Sequence, residues 1–206
     1  MPHGELVIVK GVVYLHKPII SRLDIEKIIK GCSKNNPRAQ EELYLLYKDT
    51  LFSLSLKYCK NEDEAEDNLH NAFIEIFTNI GNYKNAGSFE GWMKRITINK
   101  AIDSYRKSIQ LVPVKDNLPD DTDVTEEEMD HLPADYILAL VQQLPDQYRT
   151  VFSLYELDDY SHKEIAQMLQ ISESTSKSNL HRAKAMLKEK ITNRHPSPNY
   201  TVSHGK

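Results

Sequence analysis

Cysteine is nearly absent. Two residues, Cys32 and Cys59, in a chain of 206 give neither a disulfide framework nor metal-ligand spacing, and they read as free thiols in a reducing cytosol. Glycine and proline are also sparse, at 7 and 9 residues, which excludes collagen-like and low-complexity material. No apolar run reaches the ~18–20 residues needed to cross a bilayer, so a membrane-spanning chain is excluded. The sequence has no glycine-rich phosphate loop, its 8 histidines are scattered, and neither cysteine has a catalytic setting. What is present is ordinary globular material, 40% hydrophobic and 27% charged, and the length suits one or two domains.

Residues 1–22 stand apart as an N-terminal appendage. Residues 6–15 are apolar but interrupted by Lys10 and Gly11. With no basic segment before them and no small-residue cleavage site after, a signal peptide is not expected. The valine-rich pattern suits a short strand, although no partner strand is evident elsewhere. Translation beginning near Leu23, where helical periodicity starts, is one reading of this appendage. An intact Met1 on protein from the native host, measured by mass spectrometry, would overturn it.

The net charge of −4 conceals a sharp division. Residues 116–135 carry nine carboxylates and no Lys or Arg, leaving the remainder at +5. Within that remainder, residues 91–110 and 171–194 are each +4, whereas residues 61–76 hold six acidic side chains and no Lys or Arg. A single charge run is ordinarily a solvated face. Two basic stretches either side of an acidic linker gain meaning where they fall on elements shaped to meet DNA.

The periodicity is helical almost throughout. It predicts helices over 23–29, from Pro37 to about Tyr58, over 62–80 with Gly81 as the stop, and over 89–107. In the second part it predicts helices over 135–144, 147–157 and 173–191. Ala65, Leu69, Ala72, Phe73, Ile76, Phe77 and Ile80 recur at helical spacing, and Glu62–Asp67 crowd the positive end of that helix. Residues 108–133, with prolines at 113, 119 and 133, form a flexible linker. Ser161 and Glu164 form a capping box that opens a short helix containing Ile165, Ala166, Met168 and Leu169. Two short helices joined by a tight turn, the second one basic, make a helix-turn-helix. With Leu180, Ala183, Leu187 and Ile191 inward, the outer face presents Ser174, Lys177, Ser178, His181 and Lys188, flanked by Arg182 and Lys184. That is chemistry for phosphates and base edges. The same face equally describes a basic surface helix with no ligand.

These motifs resemble the extracytoplasmic-function type of bacterial RNA polymerase sigma factors, in the sigma-70 family. Residues Ser161–Leu169 and Ile171–Ala183 resemble the family's C-terminal domain, preceded by Leu144-Pro145-Asp146-Gln147-Tyr148-Arg149. Residues Ala65–Phe73 resemble its polymerase-binding helix. Residues Ser88–Ile96, with Asn99, Asp103 and Arg106, resemble its promoter-melting helix. The resemblance spans about 23–192 and implies an all-α fold of two small helical domains. Residues 23–107 would bind the clamp helices of core polymerase and the −10 element. Residues 134–192, a helix-turn-helix (winged-helix-like) domain, would dock on the polymerase flap and read the −35 element, with 193–206 as a tail. Implied DNA contacts are Lys94, Arg95, Asn99 and Arg106 in the first domain and Lys177, Ser178, His181 and Arg182 in the second. The loop of Asn82, Tyr83, Lys84, Asn85, Ala86, Gly87 and Ser88 would capture an unstacked base. Asp67, His70 and Asn71 would meet polymerase, with Phe73 packed inward. Trp92 fits the core by its spacing with Phe89 and Ile96. The acidic linker would pass near the RNA exit path.

The family commonly has Gln and an acidic residue where this chain has His70 and Asn71. It has a small aliphatic residue at Ser176 and frequently Arg at Asn179. Promoter DNA and core polymerase are the implied partners, with room for an anti-sigma factor and no metal or other cofactor. Asp67 and His70 have the i, i+3 spacing of carboxylate-bridged metal bundles, but the further ligands such a bundle needs are missing. An enzyme is therefore disfavoured. A stand-alone helix-turn-helix regulator with an N-terminal sensor or dimerisation domain is the rival reading, and it would bind duplex DNA without polymerase. A pure adaptor would bind polymerase without reading DNA, which the basic outer face opposes.

Overall fold

A computed structural model of the chain describes residues 6–9, 12–15, 22–84, 87–109 and 132–194. The acidic segment 110–131, most of the tail, and Asn85 and Ala86 of the base-capture loop lie outside these residues. The N-terminal valine-rich stretch does pair, with itself. Strand β1 (Leu6–Val9) runs antiparallel to β2 (Val12–Leu15), with Leu6 opposite Leu15 and Val9 opposite Val12. The partner strand missed by sequence reading is thus the very next segment, two residues on.

The first helical group is α1 (Arg22–Cys32), α2 (Pro37–Leu56), α3 (Glu62–Asn79) and α4 (Phe89–Ile109). Local chemistry sets each boundary. Asn36 caps α2 by accepting from the Ala39 N–H at 3.2 Å, with Pro37 in the first helical turn, where its missing N–H is harmless. Asn61 caps α3 through the Glu64 N–H at 2.9 Å, and the Glu64 carboxylate accepts in return from the Lys60 N–H at 3.1 Å. Gly81 does not stop α3. That helix ends at Asn79, and Gly81 sits inside a 3-10 turn, Ile80–Asn82. Ser88 opens α4, its Oγ accepting from the Gly91 N–H at 2.9 Å.

The apolar stripes of these helices close one core of Ile28, Cys32, Leu43, Leu51, Leu69, Phe73, Ile76, Ile80, Phe89 and Met93. Asn68 is the polar member of this packing. Its side-chain amide donates to Ser55 Oγ at 3.0 Å and to the Thr97 carbonyl at 3.3 Å, tying α3 to α2 and α4.

The second group is α5 (Ala134–Gln142), α6 (Asp146–Phe152), α7 (His162–Leu169) and α8 (Glu173–Arg194), with α6 widening into a π-helical turn over Ser153–Leu157. The Ser161–Glu164 capping box forms as the sequence predicts. Gln170 ends α7 in the left-handed region, φ 58°, and the chain turns there into α8. The core here is a surprise. Leu140, Val141, Leu144, Tyr148, Val151, Phe152, Leu154, Ile165, Leu169, Leu180, Ala183 and Leu187 form one cluster with Leu54 of α2, Tyr58 of the turn after it, and Ile98, Ala101 and Ile102 of α4. The sequence predicts two folded parts joined by a linker. In the structure the first part supplies a wall of the second part's core.

The α1–α2 corner has no slack. A β-carbon on Gly31 would lie 2.6 Å from the Ala39 Cβ. Gly31→Ala should therefore lower stability by about 1–3 kcal/mol through overpacking, although alanine is the better helix former. Denaturant unfolding checks this, and an unchanged or higher midpoint refutes the tight crossing.

Candidate functional site

The helix-turn-helix presents its outer face much as the periodicity predicts. Leu180, Ala183 and Leu187 are buried, while Ser174, Lys177 and Ser178 are exposed. His181 and Arg182 are half-buried and engaged with neighbouring groups. Lys184 is drawn away from that face, its Nζ 2.8 Å from Glu156 Oε1. The two departures on this helix are resolved by burial. Ser176 is 0% exposed and Asn179 is 8% exposed, so both face inward.

Ser176 has a specific partner. Its Oγ lies 2.9 Å from His162 Nδ1 at the start of α7, and the His162 ring stacks on Tyr155 with centroids 4.4 Å apart at 22°. A hydrogen bond thus joins the two helices of the motif where apolar packing would otherwise do so. Burial, followed by the charge of Lys177, holds the His162 pKa below its ordinary 6.5. The folded state therefore resists protonation at this ring, and stability present above the unfolded pKa is lost as pH falls from it toward the folded value. On going from pH 7.5 to 5.5 the unfolding temperature should drop further for the native chain than for His162→Gln. Parallel pH profiles would contradict this.

The outer side of α4 is less uniform. Arg95 and Asn99 are exposed. Lys94 is paired on its own helix with Glu90 at 2.8 Å, and Lys100 reaches Glu75 on α3 at 2.9 Å, lowering the carboxyl pKa of Glu75. Arg106 turns to the second helical group, where its guanidinium donates to the Met168 carbonyl at the end of α7. Its Nε is buried and has no partner among the described residues.

The loop that precedes α4 rests on aromatic rings. Tyr83 packs on Phe89 and Trp92 with centroids 5.1 and 5.4 Å away, and its hydroxyl donates to the Gly87 carbonyl at 2.8 Å. Gly87, at φ 109°, supplies a conformation closed to other residues,. Trp92 is half-buried against the first core and stacked on Phe89 at 25°, in keeping with its spacing.

On α3 the three predicted polymerase contacts are all exposed but do not share one recess. Asp67 and Asn71 line a cleft of about 280 Å³ between the helical groups, with Tyr58, Cys59, Tyr105, Asp146 and Arg149 among its walls. His70 borders a separate groove between α2 and α3, beside Tyr44, Lys48 and Phe52. Phe73 is buried, as expected. Burial above all, aided by Glu64, pushes the Cys59 thiol to about 12, and burial aided by Glu42 pushes Cys32 to about 11. Neither is a ready nucleophile.

Sequence reading missed Arg149, Lys57, Tyr58 and Asp158. Arg149 is 3% exposed, yet its guanidinium donates to the carbonyls of Tyr58, Gln142 and Leu144 and to Asp146 Oδ1 at 2.6 Å. The only local hint is Asp146 three residues earlier. Tyr58 and Lys57 meet Asp158, a hundred residues away in sequence, which no local pattern announces.

Comparison with known proteins follows the same division. The family model for Sigma-70 region 2 matches residues 43–108, and that for Sigma-70, region 4 matches 134–187. The chain is 31% identical over 182 residues to the ECF RNA polymerase sigma factor SigW of Bacillus subtilis (strain 168), covering 81% of this chain and 96% of that protein. It is 30% identical over 158 residues to the ECF RNA polymerase sigma factor SigE of Mycolicibacterium smegmatis, covering 72% and 60% respectively. Among solved structures, the sigma factor RpoE in complex with the anti-sigma factor NepR from Bartonella quintana aligns with a TM-score of 0.47 at 16% identity, over 74% of this chain and 96% of that one. No helix among the described residues is long and apolar enough to cross a membrane. With both regions in order and a relative matched along nearly its whole length, the chain belongs to the extracytoplasmic-function sigma factors of the sigma-70 family, the promoter-recognising factors of bacterial RNA polymerase.

Proposed function

We propose a division of labour within this sigma factor: residues 23–107 hold core polymerase and capture the −10 element, and residues 134–192 read the −35 element. The observation that carries the reading is the α8 face, where Lys177 and Ser178 stand exposed above the buried Leu180, Ala183 and Leu187. A major-groove reader needs short polar side chains flanked by cations on a helix held from behind. His181 and Arg182, half-buried on the same helix, complete that face on opening to DNA.

On α4, Arg95 and Asn99 are the exposed pair for the melted strand, with Lys94 and Arg106 joining them once released from Glu90 and Met168. The aromatic support beneath the 82–88 loop suits a base taken out of the stack, because every base offers a π-face. Asp67, His70 and Asn71 meet the clamp helices. The acidic linker 108–133 lies in a basic channel near the RNA exit path. The chain makes and breaks no bond, works in the cytoplasm beside its polymerase, and uses no metal or other cofactor. An anti-sigma factor is a further partner of the same surfaces.

In vitro transcription with cognate core polymerase on genomic fragments tests this. Addition of the chain should create discrete new starts. Lys177→Ala with Arg182→Ala should cut initiation at those starts by about tenfold or more, since each good base contact discriminates by ~1–3 kcal/mol. Arg95→Ala with Asn99→Ala should slow strand opening while leaving initial promoter binding intact. No new starts, together with tight specific duplex binding by the chain alone, would favour the stand-alone regulator.

A further inference from the structure

The first turns of the recognition helix are held from behind at one point. In a helix-turn-helix it is the N-terminal part of the second helix that meets base edges. Over residues 173–178, the start of α8, Ser176 alone is buried, while Ser174, Lys177 and Ser178 stand exposed. The apolar anchors Leu180, Ala183 and Leu187 lie beyond them. Ser176 Oγ is 2.9 Å from His162 Nδ1, and the His162 ring lies on Tyr155 with 4.4 Å between centroids. Successive residues of a helix stand about 100° apart around its axis. A bond at Ser176 therefore fixes the direction in which Lys177 and Ser178 point.

The bond depends on the charge of the ring. A neutral imidazole can accept or donate at Nδ1, whereas the imidazolium can only donate there. Protonation also sets a second cation beside Lys177 in a half-buried position. Two carboxylates oppose this, Glu173 at the start of α8 and Glu156 of the π-helical turn, the latter already held by Lys184 at 2.8 Å. Glu164, two residues on in α7, is turned back to cap Ser161. Burial and Lys177 prevail over both carboxylates, and the ring's pKa stays below 6.5. A charged ring is better solvated on leaving Ser176 and Tyr155, which frees the start of α8.

We propose that His162 is a positioning residue for −35 reading: the neutral ring locks the first turns of α8 through Ser176, and the protonated ring releases them. Discrimination of the −35 element then weakens as the pH falls below the ordinary imidazole range. The proposal rests on the reading of α8 as the −35 helix.

Holoenzyme formed with cognate core polymerase tests it, on a duplex fragment carrying one of its promoters and on the same fragment with the −35 element scrambled. The ratio of the two affinities separates base reading from phosphate attraction, which both fragments share. For the native chain the ratio should fall about threefold from pH 7.5 to 5.5, since apparent affinity scales with the fraction of chains in the competent state. His162→Gln can still bond Ser176 but takes up no charge, and should keep the ratio at both pH values. Ser176→Ala should show the lowered ratio already at pH 7.5, with no further fall. His181, on the reading face, is common to all three chains, so differences between them do not come from it. A native ratio that does not move with pH, or a fall shared by His162→Gln or by Ser176→Ala, would overturn the proposal and leave the −35 assignment standing. A native ratio of one at both pH values would instead remove the −35 assignment, and this proposal with it.

Discussion

A helix that ends under another element faces a constraint that water cannot relieve: its terminal carbonyls must find donors in the protein. Helix α2 ends in this way, and the donors it finds decide much else. A buried guanidinium is costly unless its N–H groups are bonded. Arg149 meets that condition with carbonyls at Tyr58, Gln142 and Leu144 and with the Asp146 carboxylate. The cation also sits at the negative end of the α2 dipole, which favours it further. By gripping Gln142, Leu144 and Asp146 together, the same side chain fixes the bend from α5 to α6. The bend of the second group thus leans on Arg149, and its attachment to the first on that side chain together with Gln142, Ser153 and the shared apolar core.

The two candidate DNA surfaces are each half open, since His181 and Arg182 on α8 are engaged within the chain as Lys94 and Arg106 are on α4. Lys177 and Ser178 stand clear on α8, where they need only a groove to enter. The α4 surface has Arg95 and Asn99 open, while Lys94 and Arg106 are occupied within the chain. Duplex reading requires no prior change in DNA, whereas strand capture requires unstacking. The orientation of α8 against α7 rests partly on the His162–Ser176 bond, a directional contact that apolar packing would not provide.

Much of this was legible in the sequence because it is local. The acidic residues Glu62–Asp67 in the first turns, Ser161 three residues before Glu164, and the spacing of Ala65, Leu69, Phe73 and Ile76 each act within a few residues, and helices α3 and α7 follow from them. The buried set of α8 followed for the same reason. Gly81 misled because it looks like a terminator, yet α3 had already passed into a 3-10 turn at Ile80. The self-paired N-terminal strands were missed because Lys10 and Gly11 read as an interruption. The contact between the helical groups was illegible for a deeper reason. Lys57 and Asp158 look like ordinary exposed polar residues and Tyr58 like one more member of the apolar side of α2, and they meet only when the turn after α2 and the end of a π-helical turn are brought together. Ser176 and Asn179 looked like altered base readers until burial showed that they face the other way.

The ion pairs between the helical groups bear on how this factor responds to ionic strength. Lys57–Asp158, with side chains 30% and 17% exposed, and the more open Lys60–Asp146 pair are both within reach of screening by dissolved ions,. Salt also weakens attraction between basic side chains and phosphate. Raising the salt concentration therefore weakens the charged part of the contact between the groups, while its hydrogen bonds to backbone carbonyls and its apolar packing stay in place,. The association of the two helical groups should accordingly change little with ionic strength, in contrast to any binding of phosphate by the basic stretches.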